Sequence, residues 1–201
     1  GAVISPLLSN IYLDPLDHEM ARSGYEMVRY ADDFVILCRS EAEAREALER
    51  VQDWTTKAGL TLHPTKTRIV NAQEEGGFDF LGYHFERGKK WPRTKSLRKV
   101  KDTIRAKTKR TNGHSLQVII EDVNCTLTGW FEYFKHSHKW TFPRVDGWVR
   151  MRLRSILRKR THRHGRGRGS DHQRWPNAFF STHGLFSLET THAATCQSSV
   201  R

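Results

Sequence analysis

The stretch Met27-Val28-Arg29-Tyr30-Ala31-Asp32-Asp33-Phe34-Val35-Ile36-Leu37-Cys38 decides how the chain is read. Met27, Val28 and Tyr30 lead into Ala31-Asp32-Asp33, and five apolar residues rich in β-formers lead out. The spacing predicts a hairpin over 26–38. The uninterrupted apolar run predicts a strand covered on both faces. Two adjacent carboxylates then stand at the tip of a tight reversal. Like charges repel there, and apolar neighbours raise the cost of keeping both ionised. A hard divalent cation relieves both problems. Mg²⁺ is typically held by one or two carboxylates plus substrate phosphates. A pair of such ions can activate a hydroxyl and stabilise the leaving oxygen of phosphoryl transfer. Asp is also a common turn residue, and for an isolated Ala-Asp-Asp that plainer reading prevails. The apolar strands on either side and the basic half downstream reverse the balance.

Outward from the hairpin, residues 5–20 read as a helix with Ser5 as N-cap, Pro6 at the first helical position, and Leu8, Ile11, Tyr12, Leu16 and Met20 at helical spacing. Pro15 predicts a kink or a new start. Ser40 and Glu43 form a capping box for a helix whose inner stripe is Ala44, Ala47, Leu48, Val51 and Trp54, with Gly59 as its stop. Leu60-Thr61-Leu62 and Arg68-Ile69-Val70 read as short strands around His63-Pro64-Thr65-Lys66. Phe78 to Phe85 reads as a further strand, and Arg87-Gly88-Lys89-Lys90 as a turn. From residue 96 the pattern is helical. Leu97, Val100 and Ile104 form one stripe, and Leu116, Ile119, Ile120, Val123, Leu127, Trp130, Phe131 and Phe134 a second. After a restart at Phe142-Pro143, Val145, Trp148, Val149, Ile156 and Leu157 form a third. Three amphipathic helices with short connections predict a small bundle. His162 to Gly169 is basic and Gly-rich, Trp175 to Leu188 is apolar enough to pack back on the bundle, and a frayed end is expected from about Glu189.

Charge separates the chain into the same parts. Its 201 residues carry 34 Lys+Arg against 22 Asp+Glu, a net charge of +12. The acidic excess lies in residues 1–85, with 8 basic and 14 acidic side chains; residues 86–168 hold 24 basic and 6 acidic ones. A one-signed basic field of this kind attracts polyanions, above all phosphate backbones. An anionic membrane is the rival polyanion, but the aromatics are not gathered on one amphipathic surface helix. No apolar run is long enough to span a bilayer, and no basic residue precedes Arg22 to make the n-region of a signal. Cys38, Cys125 and Cys196 fit neither a disulfide framework nor a zinc motif, which points to a reduced cytoplasmic or nucleoid compartment. His162, His164, His172 and His183 match no zinc spacing and read as solvated or stacking groups of a basic loop. Trp130 and Trp148 read as core; Trp91 and Trp140, near turns, are weaker candidates for stacking on unpaired bases.

The residues also carry a resemblance. Tyr30-Ala31-Asp32-Asp33, after Arg29 and before Phe34-Val35-Ile36-Leu37, resembles the YADD box of reverse transcriptases. Gly1-Ala2-Val3-Ile4-Ser5-Pro6-Leu7-Leu8-Ser9-Asn10-Ile11-Tyr12-Leu13 resembles the preceding block of group II intron enzymes. Gly59-Leu60 through Lys66-Thr67 and Phe80-Leu81-Gly82-Tyr83 resemble later blocks of the same palm. Gly129-Trp130-Phe131-Glu132-Tyr133-Phe134 resembles the thumb, or maturase, domain, and Trp175 to Phe180 with Gly184-Leu185-Phe186 the segment after it. The similarity runs over nearly the whole chain in order and is identified as that of a group II intron reverse transcriptase/maturase.

The resemblance implies an α+β fold: a partial polymerase palm, with an antiparallel sheet and packed helices, over 1–90; a helical thumb/maturase bundle over 91–165; and a basic linker and tail over 166–201. It implies RNA-directed DNA polymerisation during retrohoming and RNA binding during splicing, in a cytoplasmic, nucleoid-associated setting of bacterial type. Asp32 and Asp33 would hold catalytic Mg²⁺, Lys66 would sit near the leaving pyrophosphate, and Tyr30 and Ala31 near the primer end and incoming nucleotide. Ser5-Pro6-Leu7-Leu8 would lie under the template–primer helix. Independently of the family, Arg98, Lys99, Lys101, Arg105 and Lys107 on one helix and Arg150, Arg152, Arg154 and Arg158 on another are the expected RNA-binding side chains. The partners implied are intron RNA, an RNA/DNA template–primer, a DNA target, and a dimer mate or complementing upstream fragment. The family's further catalytic Asp lies upstream of the block at Gly1, with the fingers, and its DNA-binding and endonuclease parts lie downstream. The chain opens on Gly1 rather than Met. Asp14 and Asp17 lie on the helix, not on the expected strand. The isolated 201 residues are therefore expected to be inactive as a polymerase. A splicing cofactor without polymerase activity, or a remnant of a mobile element, are the alternatives.

Overall fold

The computed structural model describes residues 4–163, 165 and 169–198. Gly1, Ala2 and Val3 of the first family block, and His164 of the basic loop, lie outside the described residues. The chain forms two compact units, Gly1–Phe80 and Leu81–Arg201. It is α+β.

The first unit opens on α1 (Ser5–Arg22), which starts one residue earlier than expected. Ile4 is the N-cap and makes no side-chain cap, so Ser5 lies inside the helix. The helix continues through Pro15 without a new start. Its C-terminal half buries Leu13, Leu16 and Met20 with Tyr25, Ala47 and Val51. Its N-terminal half does not: Leu8, Ile11 and Tyr12 are exposed. The helix ends on Gly24 at φ +81, where Gly24 N–H donates to the Ala21 carbonyl and Tyr25 N–H to that of Met20. This reversal satisfies two orphan carbonyls and needs a residue free of Cβ strain. It carries Tyr25 back onto Met20 in the core.

β1 (Glu26–Tyr30) and β2 (Asp33–Leu37) pair antiparallel from Glu26↔Leu37 to Tyr30↔Asp33. The strands are not covered on both faces, since Val28 and Leu37 stay exposed. α2 (Glu41–Lys57) starts on Ser40, whose Oγ accepts from Glu43 N–H, while the Glu43 carboxylate accepts from Arg39 N–H. It ends as α1 does, on a glycine: Gly59 donates to Thr56 and Leu60 to Thr55. Tyr12 donates to the Ala58 carbonyl at 2.6 Å, tying α1 to this end of α2. Residues 60–62 and 68–70 form no strand; the segment between them is a turn in which Lys66 and Thr67 N–H both donate to the His63 carbonyl. β3 (Phe78–Phe80) closes the unit.

The second unit opens on a hairpin, β4 (Tyr83–Glu86) and β5 (Lys89–Pro92), in register from Tyr83↔Pro92 to Glu86↔Lys89. Lys89 and Lys90 thus belong to a strand, and the turn is Arg87-Gly88 alone, both at positive φ. Such two-residue reversals match the right-handed twist of the flanking strands. The units divide before the boundary expected after residue 90 because this hairpin is clasped by the helices that follow. Tyr83 OH donates to the Tyr133 carbonyl, Tyr133 OH to the Leu81 carbonyl at 2.7 Å, and Ser96 Oγ to that of Gly82 at 3.0 Å. Gly82 sits at φ +82 with Ser96 Oγ 3.4 Å from where a Cβ would be. Burial pushes the Tyr83 phenol up to about 12.

α3 (Thr94–Lys107), α4 (Leu116–Phe134) and α5 (Thr141–Arg160) bury one core containing Val100, Ile104, Ile120, Leu127, Phe131 and Leu153. The restart expected at Phe142-Pro143 falls one residue earlier: α4 ends at Phe134, and α5 begins at Thr141 with Phe142, fully buried, and Pro143 in its first turn. α6 (Ser170–Arg174), α7 (Asn177–Thr182) and α8 (Leu188–Ser198) complete the unit, adding Trp175, Phe180 and Leu188 to the core. The expected frayed end is a helix because Asp146 of α5 caps it. The buried carboxylate accepts from Leu188 N–H, Glu189 N–H and Ser187 Oγ, each at 3.1 Å. Asn124 holds the preceding turn, donating to the Gly184 carbonyl and accepting from Phe186 N–H.

Asp146→Ala removes the carboxylate that accepts all three bonds and leaves two backbone donors unpaired at a buried helix start. It should destabilise the second unit by roughly 2–4 kcal/mol. Urea unfolding gives the loss, and amide exchange should show it concentrated in α8.

Candidate active site and nucleic-acid interface

Ala31 and Asp32 form a two-residue loop closed by the Tyr30↔Asp33 pair. Ala31 stands at φ +55, a region that costs an L-residue with a Cβ roughly 1–2 kcal/mol. Tyr30, Asp32 and Asp33 are exposed. Neither carboxylate has a hydrogen bond or ion pair among the described residues. The expected desolvation cost is therefore absent, and what remains is the repulsion of two adjacent charges.

Arg29, one residue ahead of Tyr30, has a side chain only 10% exposed. Its Nε donates to Asp17 Oδ1 at 2.8 Å, and its two terminal nitrogens reach Asp17 Oδ2, Asn10 Oδ1 at 2.9 Å and the Ala31 carbonyl at 2.8 Å. The bond to Asp17 raises the Arg29 pKa further. Asp17 is committed to this pair and Asp14 lies beside His18, 3.3 Å away. Among the described residues no third His, Cys, Asp or Glu gathers with Asp32 and Asp33. The turn thus offers two open oxygen ligands of the hard type that suits Mg²⁺, and an incomplete set. Lys66 stands on a separate, exposed turn at 63–67.

The basic side chains of the second unit divide by what they touch. Arg98 and Lys99 on α3 are exposed, Arg150 on α5 is half-exposed, and none of the three makes a hydrogen bond or ion pair among the described residues. Lys101 and Arg105 lie over the Trp148 ring, 5.8 and 5.6 Å from its centroid, and Arg105 also pairs with Asp102. Lys107 pairs with Asp122 at 2.6 Å. The remaining three, Arg152, Arg154 and Arg158, are engaged inside the unit. Arg154 is 2% exposed; it donates to the Trp175 carbonyl at 2.8 Å and Asn177 Oδ1 at 2.7 Å over the Phe180 ring. It is a strut between α5 and α7, and burial lowers its pKa. Arg152 donates to Thr108 Oγ1 and to the Thr108 carbonyl at 2.7 Å, capping the end of α3, and burial lowers its pKa as well. Arg158 pairs with the fully buried Asp171. Trp91 and Trp140 pack on each other at 5.3 Å, with His84 against Trp91 and His138 against Trp140.

Two features escaped the sequence reading. Arg29 carried a signal: an Arg two residues ahead of the turn's first residue, with Asn10 and Asp17 seven apart on one helical face. Asp146 carried none, because its partners lie more than 40 residues away.

Residues 1–85 match the model of the reverse transcriptase (RNA-dependent DNA polymerase) family, and residues 97–175 that of the group II intron, maturase-specific domain. The chain belongs to the group II intron reverse transcriptase/maturase family. Comparison with the curated proteins finds no match. Among the described residues no helix is long and apolar enough to cross a membrane.

Replacing Arg98, Lys99 and Arg150 together with Ala should weaken RNA binding without unfolding the protein. Between roughly 50 and 200 mM salt, the slope of log affinity against log salt should fall by about 2. Arg154→Ala should instead lower stability by roughly 2–4 kcal/mol, visible in urea unfolding before any change in salt slope.

Proposed function

We propose that the chain is the C-terminal palm and the thumb/maturase part of an RNA-directed DNA polymerase. It binds intron RNA for splicing and acts on an RNA/DNA template–primer and a DNA target during retrohoming. The observation that carries this reading is the pair of adjacent, unpartnered carboxylates at the tip of a pinned hairpin, in a chain whose other unit is strongly basic. Mg²⁺, which the reverse transcriptase family generally uses, supplies charge neutralisation and hydroxyl activation when bound. Asp32 and Asp33 are the ligands this chain contributes. Tyr30 and Ala31 place the exposed turn surface where a primer end and nucleotide would meet it. Lys66, an exposed cation on its own turn, would neutralise leaving pyrophosphate. Arg98, Lys99 and Arg150 supply open cations for phosphates, with Lys101, Arg105 and Lys107 partly engaged beside them.

The incomplete carboxylate set favours a second reading for these 201 residues alone: an RNA-binding splicing cofactor that needs a complementing fragment or a second copy to polymerise. Primer extension on an RNA template with Mg²⁺ tests this. The 201-residue chain should bind RNA and give no extension. Asp32→Ala should leave its RNA affinity within about twofold, as expected for an exposed substitution. Extension that Asp32→Ala abolishes would overturn the cofactor reading and require a third ligand within the chain. Loss of RNA binding by folded Asp32→Ala would overturn the roles given to the two units.

A further inference from the structure

We propose that Arg29 is the positioning residue of the carboxylate turn, fixing the direction in which Asp32 and Asp33 present their oxygens. The inference rests on reading those two side chains as the metal-binding pair. Three observations converge on it. The guanidinium is nearly buried on an otherwise partly exposed hairpin, and it engages acceptors from both α1 and the turn. Asn10 and Asp17 are two helical turns apart on α1, so their anchorage does not move with the hairpin. The bond to the Ala31 carbonyl, at 2.8 Å, grips the peptide that joins Ala31 to Asp32. That peptide follows the residue held at φ +55.

The geometry gives the bond a specific task. A two-residue loop with Ala at a left-handed first position relaxes readily, because the strain favours another conformer. The peptide plane after Ala31 sets the Cα–Cβ direction of Asp32, and through the Tyr30↔Asp33 pair that of Asp33. Holding its carbonyl against a fixed helix removes the relaxation. The planar fork does this and a lysine cannot, since a single ammonium has no rigid span across Asp17, Asn10 and Ala31. Arg29 also occupies both carboxylate oxygens of Asp17.

The test uses the 201-residue chain with Mn²⁺ as a paramagnetic probe for Mg²⁺, reading broadening of the Asp32 and Asp33 amide resonances, and amide exchange throughout. In Arg29→Lys, half-broadening should require roughly tenfold more Mn²⁺, the scale seen when a supporting shell around ligands is removed. The amides of 31–33 should exchange faster, while Leu16, Met20 and Val51 keep their protection. A purely structural role would lower protection throughout and leave Mn²⁺ affinity of the folded fraction unchanged, which would overturn the proposal. Wild-type Mn²⁺ affinity with unchanged exchange at the turn would overturn it as well. If wild type itself shows no broadening, the metal reading fails, and exchange at 31–33 alone decides the positioning claim. Should Arg29→Lys unfold, Asn10→Ala, which removes one exposed anchor and spares the Asp17 pair, should give a smaller change in the same direction. No change in that variant would contradict the proposal.

Discussion

The tightness of the reversal at Ala31-Asp32 governs what the first unit can present. Two residues turn the chain, Ala31 takes a conformation that suits glycine, and the next two side chains are both carboxylates. Among the described residues of the first unit, none pairs with them. The pairing of Tyr30 with Asp33 fixes the register, and the Arg29 fork fixes the turn against α1. The small core under α1 and α2 serves this arrangement, since the helix that anchors Arg29 is itself held by Leu13, Leu16 and Met20.

The second unit solves a different problem with the same residue type. A strongly basic helical bundle repels itself, and its interior must also close helix ends. Arg152 and Arg154 use their planar donors to satisfy backbone carbonyls at the end of α3 and at Trp175, and Arg158 neutralises a buried Asp171. Each of these charges is spent on the fold. Others, Arg98 and Lys99 above all, remain open. A basic sequence thus overstates the basic surface, and the difference lies in which arginines find carbonyls.

Much of this was legible in the residues. The hairpin, the capping box at Ser40, the stop at Gly59 and the three apolar stripes of the bundle follow from local periodicity and turn chemistry, and all are present. The failures share a cause. The apolar stripe of α5 marks one buried face, but α7 covers a second one, which is why Arg154 is inside. Local pattern predicted strands at 60–62 and 68–70, where no partner ladder forms. Pro15 lies where tertiary packing carries the helix on. The helix at the end of the chain depends on Asp146, a long-range cap invisible to any window. The motif Phe80-Leu81-Gly82-Tyr83 shows the opposite case. Its central pair Leu81-Gly82, read as part of a strand, makes a turn in which Tyr133 and Ser96 donate to the Leu81 and Gly82 carbonyls, while Phe80 and Tyr83 stay in strands.

The proposed division of labour sets an acidic unit that presents a metal-binding turn beside a basic unit that holds RNA. Photo-crosslinking of 4-thiouridine-substituted intron RNA to the 201-residue chain, with mapping of the modified peptides, tests it most directly. Crosslinks should fall on the exposed side of α3 around Arg98-Lys99 and on α5 around Arg150, and spare the acidic α2. Crosslinks confined to the first unit, or spread over α2 as readily as over α3, would contradict it.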